Sequence, residues 1–69
     1  FEVTIDPGSH AANRSIEDLK LPKRALVISV VRDGQNIVPS GKLVIEDGDD
    51  LIVIADNESI PALERTFVG

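Results

Sequence analysis

The chain has 69 residues, a formal net charge of −5, one histidine and no cysteine. Disulfides, thiolate metal sites and histidine clusters are thereby excluded, and the acidic balance argues against nucleic acid as a partner, because phosphate neutralisation needs clustered lysine and arginine. This length holds one domain, assigned to residues 1–69, and a domain so small is marginal unless a partner subunit supports it.

The apolar residues are almost all Ile, Val, Leu and Ala, with two Phe and no Trp, Tyr or Met, a composition that favours strands. Residues 1–6 alternate, with Phe1, Val3 and Ile5 on one side, which predicts a half-buried strand. Pro7-Gly8-Ser9 ends it and opens a small-residue loop. Ser15-Ile16-Glu17-Asp18 fits a capping box, and Pro22 stops the chain from continuing, so a short helix is expected over residues 15–20. Residues 25–31, ALVISVV, read as a strand buried on both faces. Burial on both faces exceeds what one layer of helix can supply in so short a chain, which again points to a second copy.

Asp33-Gly34 predicts a tight turn. A short return strand is expected over residues 36–39, where Pro39 marks an edge or an end. Residues 42–45 read as a further short strand, and Glu46-Asp47-Gly48-Asp49 as an acidic turn with Asp49 capping its free N–H groups. Residues 51–55, LIVIA, form the second buried strand. Residues 57–67 read as a helix with Ser59 as N-cap, Pro61 in its first turn, and Ile60, Leu63 and Phe67 on one face. The fold class is α+β: a small, mostly antiparallel sheet with two short helices in the order β-α-β-β-β-β-α.

Charge is unevenly spread. Arg14, Lys20, Lys23, Arg24 and Arg32 carry most of the positive charge, whereas Glu46, Asp47, Asp49, Asp50, Asp56 and Glu58 make the C-terminal half acidic. A surface of two signs suits docking against a copy of itself or a neighbouring domain. Arg32 is placed to meet an anionic ligand or a partner's acid, and Lys23 and Arg24 to pair with acids across a dimer. Asp47, Asp49 and Asp50 offer carboxylates to a hard cation, although the spacing is not that of an EF-hand. His10 has no adjacent nucleophile or orienting acid, so no hydrolytic triad is indicated. Phosphate-loop patterns are missing. No run approaches the roughly 18–20 apolar residues of a membrane span, and no signal peptide is visible. The start at Phe1, directly into a strand, reads as a domain cut from a longer protein.

The order S-I-E-D-L-K-L-P, L-V-I-S-V-V-R-D-G, I-V-P-S-G and L-V-I-E-D-G-D-D-L-I-V-I-A-D resembles the TrkA C-terminal domain, also called the RCK C-terminal domain, over about residues 1–67. The resemblance implies a non-catalytic regulatory module without a cofactor, a cytoplasmic part of an inner- or plasma-membrane protein or of its peripheral subunit. Such proteins include potassium uptake systems and channels, cation/proton antiporters and chloride transporters. It implies a homodimer that binds a small anionic or nucleotide ligand near its interface, with the rest of the parent chain as its other partner. Lys20, Lys23, Arg24, Arg32 and Pro39 are the ligand-binding candidates. Leu26, Val27, Ile28 and Val30 are the candidates for the dimer interface or core. Some members bind a cyclic dinucleotide through an Arg near the end of the first helix and an Asn opening the next strand. Here Lys20 and Leu26 hold those positions; Leu lacks Asn's hydrogen bonds, and Lys lacks the planar fork of Arg. Two other readings stand beside the ligand sensor: a purely structural dimerisation module, and a divalent-cation sensor using the acidic turn over residues 46–50.

Overall fold

The computed structural model describes residues 1–67. Four strands, β1 (Glu2–Thr4), β2 (Ala25–Arg32), β3 (Gln35–Ile37) and β4 (Asp50–Ala55), form one sheet in the order β1-β4-β2-β3, every pair antiparallel. The C-terminal helix α1 (Ile60–Phe67) follows a 3-10 turn at Asn57–Ser59. The α+β class expected from the sequence is therefore correct.

Several local expectations change. The first helix is only a 3-10 turn, Glu17–Leu19, although Ser15 Oγ does accept the Asp18 N–H at 3.3 Å. The expected strand over residues 42–45 lies outside the sheet. It pairs instead with the loop over residues 13–16, through Asn13 N–H to Ile45 O (2.7 Å), Ile45 N–H to Arg14 O (2.9 Å) and Ile16 N–H to Leu43 O (3.0 Å). The cap of the C-terminal helical segment is Asp56 rather than Ser59: its carboxylate accepts the Ser59 N–H at 3.1 Å and the Ser59 hydroxyl at 2.6 Å. An acid satisfies an orphan N–H and complements the helix dipole together, which a hydroxyl cannot.

The turn between β2 and β3 needs no revision. Arg32 pairs with Gln35, so only Asp33 and Gly34 form the loop, and both have positive φ (53° and 79°). That is the two-residue turn whose twist matches the strands it joins.

The largest correction concerns β2, which is not buried on both faces. Val27 pairs with Val53 and Ser29 with Ile52, so Ile28 is an extra residue, a β-bulge. The bulge breaks strict alternation. Val27 and Val30, three apart, both face inward, while Leu26 and Ile28 remain 65% and 44% exposed. The core is the covered side of the sheet: Val27, Val30, Leu51 and Val53 from the strands, Leu63 and Phe67 from α1, and Ile5, Ala11 and Ile45 from the loops. Ile60, expected on the same helix face, packs against this cluster but is only partly buried.

Removing a fully buried branched side chain costs transfer energy plus the cavity left behind. Leu51→Ala is expected to lower stability by about 2–5 kcal/mol in urea unfolding. Val27→Asp should abolish folding, because it buries a lone charge. Ile28→Asp, at the bulge and half open to solvent, should leave the far-UV circular dichroism spectrum unchanged.

Candidate functional site

Two features concentrate polar chemistry. The first is a clasp at the end of β2. Arg32 donates from Nε to Asp49 Oδ1 at 2.9 Å and from Nη2 to Asp49 Oδ2 at 2.8 Å, a bidentate pair. Its Nη2 also reaches Val44 O at 3.0 Å, and Nη1 lies 3.0 Å from Glu46 Oε2. Asp49 is 1% exposed, and its Oδ2 accepts the Glu46 N–H at 2.9 Å, the turn-capping role read from the sequence. The Arg32 hydrogen bond holds the Asp49 carboxyl below its ordinary pKa; burial opposes this, and the Glu46 N–H and the Arg32 charge reinforce it. Arg32, a ligand candidate by sequence, is thus engaged on four sides within its own chain.

The acidic turn does not gather a metal set. Asp49 points inward to Arg32, Asp50 accepts from Thr4 Oγ1 at 3.1 Å, and Asp47 is exposed. Among the described residues no group of three or more His, Asp or Glu side chains is placed to hold a metal ion.

The second feature is a cleft of about 460 Å³ at the start of β2. Its walls are the segment around the first 3-10 turn (Ile16, Glu17, Lys20, Leu21, Pro22, Lys23), the first residues of β2 (Ala25, Leu26, Val27), and Pro39, Ser40 and Gly41. The off-sheet pairing builds it: the Glu17 N–H donates to Gly41 O at 2.8 Å and ties two of the walls together. Lys20 ends the turn in the left-handed region (φ 52°, ψ 54°), which costs a residue with a Cβ about 1 kcal/mol and swings its side chain away from the helical direction.

The structure therefore brings Lys20, Lys23, Leu26 and Pro39 to one cleft. Arg24 stands outside its lining and pairs with Asp56 at 3.4 Å. Val27 and Val30 lie in the core, and Leu26 and Ile28 on the open side of the sheet. Glu17 was read from the sequence only as part of the capping box, and Ser40 and Gly41 were given no role there; a Ser-Gly pair signals a turn but does not reveal what the turn packs against.

A four-stranded antiparallel sheet covered on one side, with a cleft between a 3-10 turn and the sheet edge, defines a small α+β domain class. The chain belongs to the TrkA-C domain family, whose model matches residues 1–68. It is 32% identical over 67 residues to Trk system potassium uptake protein TrkA homolog 2 of Methanosarcina mazei, covering 97% of this chain and 15% of that protein. It is 28% identical over 67 residues to Trk system potassium uptake protein TrkA of Mycobacterium tuberculosis, covering 97% of this chain and 30% of that protein. The chain thus spans less than a third of either relative. Among solved structures, the RCK_C domain dimer of S. agalactiae BusR in complex with c-di-AMP superposes with a TM-score of 0.81 at 24% identity, over 99% of this chain and 93% of that one. The same fold recurs in S. agalactiae BusR bound to its busAB-promotor DNA, where this chain matches 35% of the longer protein. The acidity of these 69 residues therefore does not exclude nucleic-acid binding by other parts of a parent protein. Among the described residues no helix is long and apolar enough to cross a membrane.

The clasp yields a signed pH dependence. Asp49 has a lowered pKa in the folded state, so its contribution is complete above the unfolded carboxylate pKa near ~4 and is lost as pH falls through the folded value. Arg32→Ala leaves a buried, underpaired carboxylate and should cost about 3 kcal/mol at neutral pH. Urea titrations from pH 7 to 2 should show the variant's deficit shrinking as Asp49 protonates.

Proposed function

We infer that this chain is a non-catalytic, dimerising regulatory domain of an ion-transport protein, and that the cleft beside β2 receives a small anionic or nucleotide ligand. The observation that carries the reading is the cleft itself. It sets Lys20 and Lys23 beside an apolar lining of Ile16, Leu21, Pro22, Leu26 and Pro39, in a chain whose net charge is −5. Apolar walls with a few convergent charges are the make-up of small-molecule sites. The Trk relatives support the transport context, and the RCK_C neighbour solved as a dimer with c-di-AMP supports a ligand-binding dimer.

The mechanism is a population shift. A ligand seated in the cleft touches the 3-10 segment, the first residues of β2 and the turn at Ser40-Gly41 together. It stabilises the arrangement of subunits in which those walls are best closed, and any attached transport machinery follows through that difference in affinity. The domain is assigned to the cytoplasmic side of an inner or plasma membrane, as part of a transporter or of its peripheral subunit. Leu26 in place of a base-reading Asn, and Lys20 in place of Arg, weaken a cyclic dinucleotide relative to a simpler anion.

Thermal denaturation with separate additions of c-di-AMP, mononucleotides and Ca²⁺ tests the reading. At 100 times its Kd a ligand specific for the folded form stabilises by about 2.7 kcal/mol. A rise in Tm with a nucleotide, reduced at least tenfold in affinity by Lys20→Ala, is expected. A rise with Ca²⁺ alone would favour the acidic-turn sensor, and no rise with any compound the purely structural module.

A further inference from the structure

We propose, taking the cleft as the ligand site, that Arg32 is its positioning residue. From the far end of β2 it sets, through Val44, where the outer walls of the cleft stand, so that closing the clasp and filling the cleft favour each other.

Residues 41–45 and 13–17 run side by side off the sheet, as a strap that spans both features. Its rungs are Glu17 N–H to Gly41 O (2.8 Å), Ile16 N–H to Leu43 O (3.0 Å), Asn13 N–H to Ile45 O (2.7 Å) and Ile45 N–H to Arg14 O (2.9 Å). The first rung lies in the cleft, whose lining includes Ile16, Glu17, Ser40 and Gly41 together with Ala25, Leu26 and Val27 of β2. Further along, the Val44 carbonyl accepts from Arg32 Nη2 at 3.0 Å. Just beyond, the Glu46 N–H donates to Asp49 Oδ2 at 2.9 Å. The strap therefore begins at the cleft and ends at the clasp.

Few contacts fix the strap against β2. Among the described residues, Arg32 makes every hydrogen bond and ion pair that joins β2 to residues 41–46, through Val44 O and Glu46 Oε2. The apolar anchor is Ile45, fully buried in the core. On the cleft side of Ile45 the strap is exposed or only half-buried, with Ile16 and Leu43 packed partly against the core. The Val44 carbonyl is held there by a guanidinium whose own place is set by the bidentate bond to buried Asp49. The two halves of the strap also fit closely. A Cβ on Gly41 would lie 3.4 Å from both Cβ and Oε2 of Glu17, so the two outer walls of the cleft shift as one.

A ligand that touches those walls and the start of β2 together binds best when their separation is fixed beforehand. By linkage, the same ligand holds the strap in the position at which the clasp closes. Arg32 is absent from the cleft lining, so it acts on a ligand it does not touch. Lysine would not replace it: a point charge cannot hold Asp49 at two oxygens and reach Val44 O as well.

Calorimetric titration of wild type, Arg32→Lys and Leu63→Ala with adenosine 5′-monophosphate and, separately, with c-di-AMP tests this, at a temperature where the far-UV spectrum shows each chain folded. Leu63 is fully buried on α1 and outside the cleft lining, so its truncation lowers stability without reaching the strap. The nucleotide that binds the wild type should lose affinity about fivefold or more in Arg32→Lys, the low end of couplings between sites. In Leu63→Ala its affinity should stay within about twofold, as for independent sites. Saturating the wild type with that nucleotide should also slow hydrogen exchange of the Arg32 Nε–H, followed by NMR, because the coupling is reciprocal. An affinity unchanged in Arg32→Lys, an equal loss in Leu63→Ala, or an Nε–H exchange rate indifferent to the nucleotide overturns the coupling and leaves the ligand reading standing. A wild type that binds neither nucleotide overturns both.

Discussion

Arg32 and Asp49 hold the end of β2 against the turn that feeds β4, and the rest of the architecture hangs from that contact. The two central strands are far apart in sequence, and the segment between them wanders off the sheet to pair with residues 13–16. Without the clasp, the return of the chain to β4 would rest on the ladder and on the backbone bonds of Ile5 to Gly48 and Asp49. The guanidinium closes the gap by engaging a carboxylate, a carbonyl and a second acid. The buried carboxylate in turn organises the turn around Gly48, whose φ of 88° suits glycine. A buried pair of this kind adds little net stability over an apolar substitute, but it fixes geometry.

The clasp also places the functional surface. With residues 43–45 tied to Arg32 through Val44 and to the loop at 13–16, the turn at Ser40-Gly41 has one position open to it, next to Glu17. Two of the cleft's walls, the segment around the 3-10 turn and the turn at Ser40-Gly41, are thus joined by a backbone hydrogen bond outside the sheet, and only the third wall is a strand. Such walls yield more easily than strands, which suits a site whose occupancy must alter the relation between subunits.

The sequence made the antiparallel sheet, the Asp33-Gly34 turn and the helix face of Leu63 and Phe67 legible, because each is a local pattern. It hid what depends on distant pairing. Residues 42–45 have the composition of a strand, yet their partner is a loop, and composition does not name partners. Arg32 looked free because the acid that binds it is 17 residues away. Lys20 and Pro39 were singled out through resemblance and Lys23 also by its place before β2; that they share a cleft with Glu17 and Gly41 follows only from the fold. The apolar run in β2 suggested burial on both sides because a period of two cannot be read through a bulge.

That bulge has a consequence for how this sheet tolerates change in length. Val27 and Ser29 pair with adjacent residues of β4, so the ladder skips Ile28. In most strands, losing one residue slips the register and turns every later side chain to the wrong face. Here removal of Ile28 would restore plain alternation, with Val27 and Val30 still inward and Leu26 and Ser29 still outward. The bulge is thus a place in β2 where the chain could shorten by one residue without exchanging its inside for its outside. The extra residue adds width to the exposed face while leaving the core's wiring untouched.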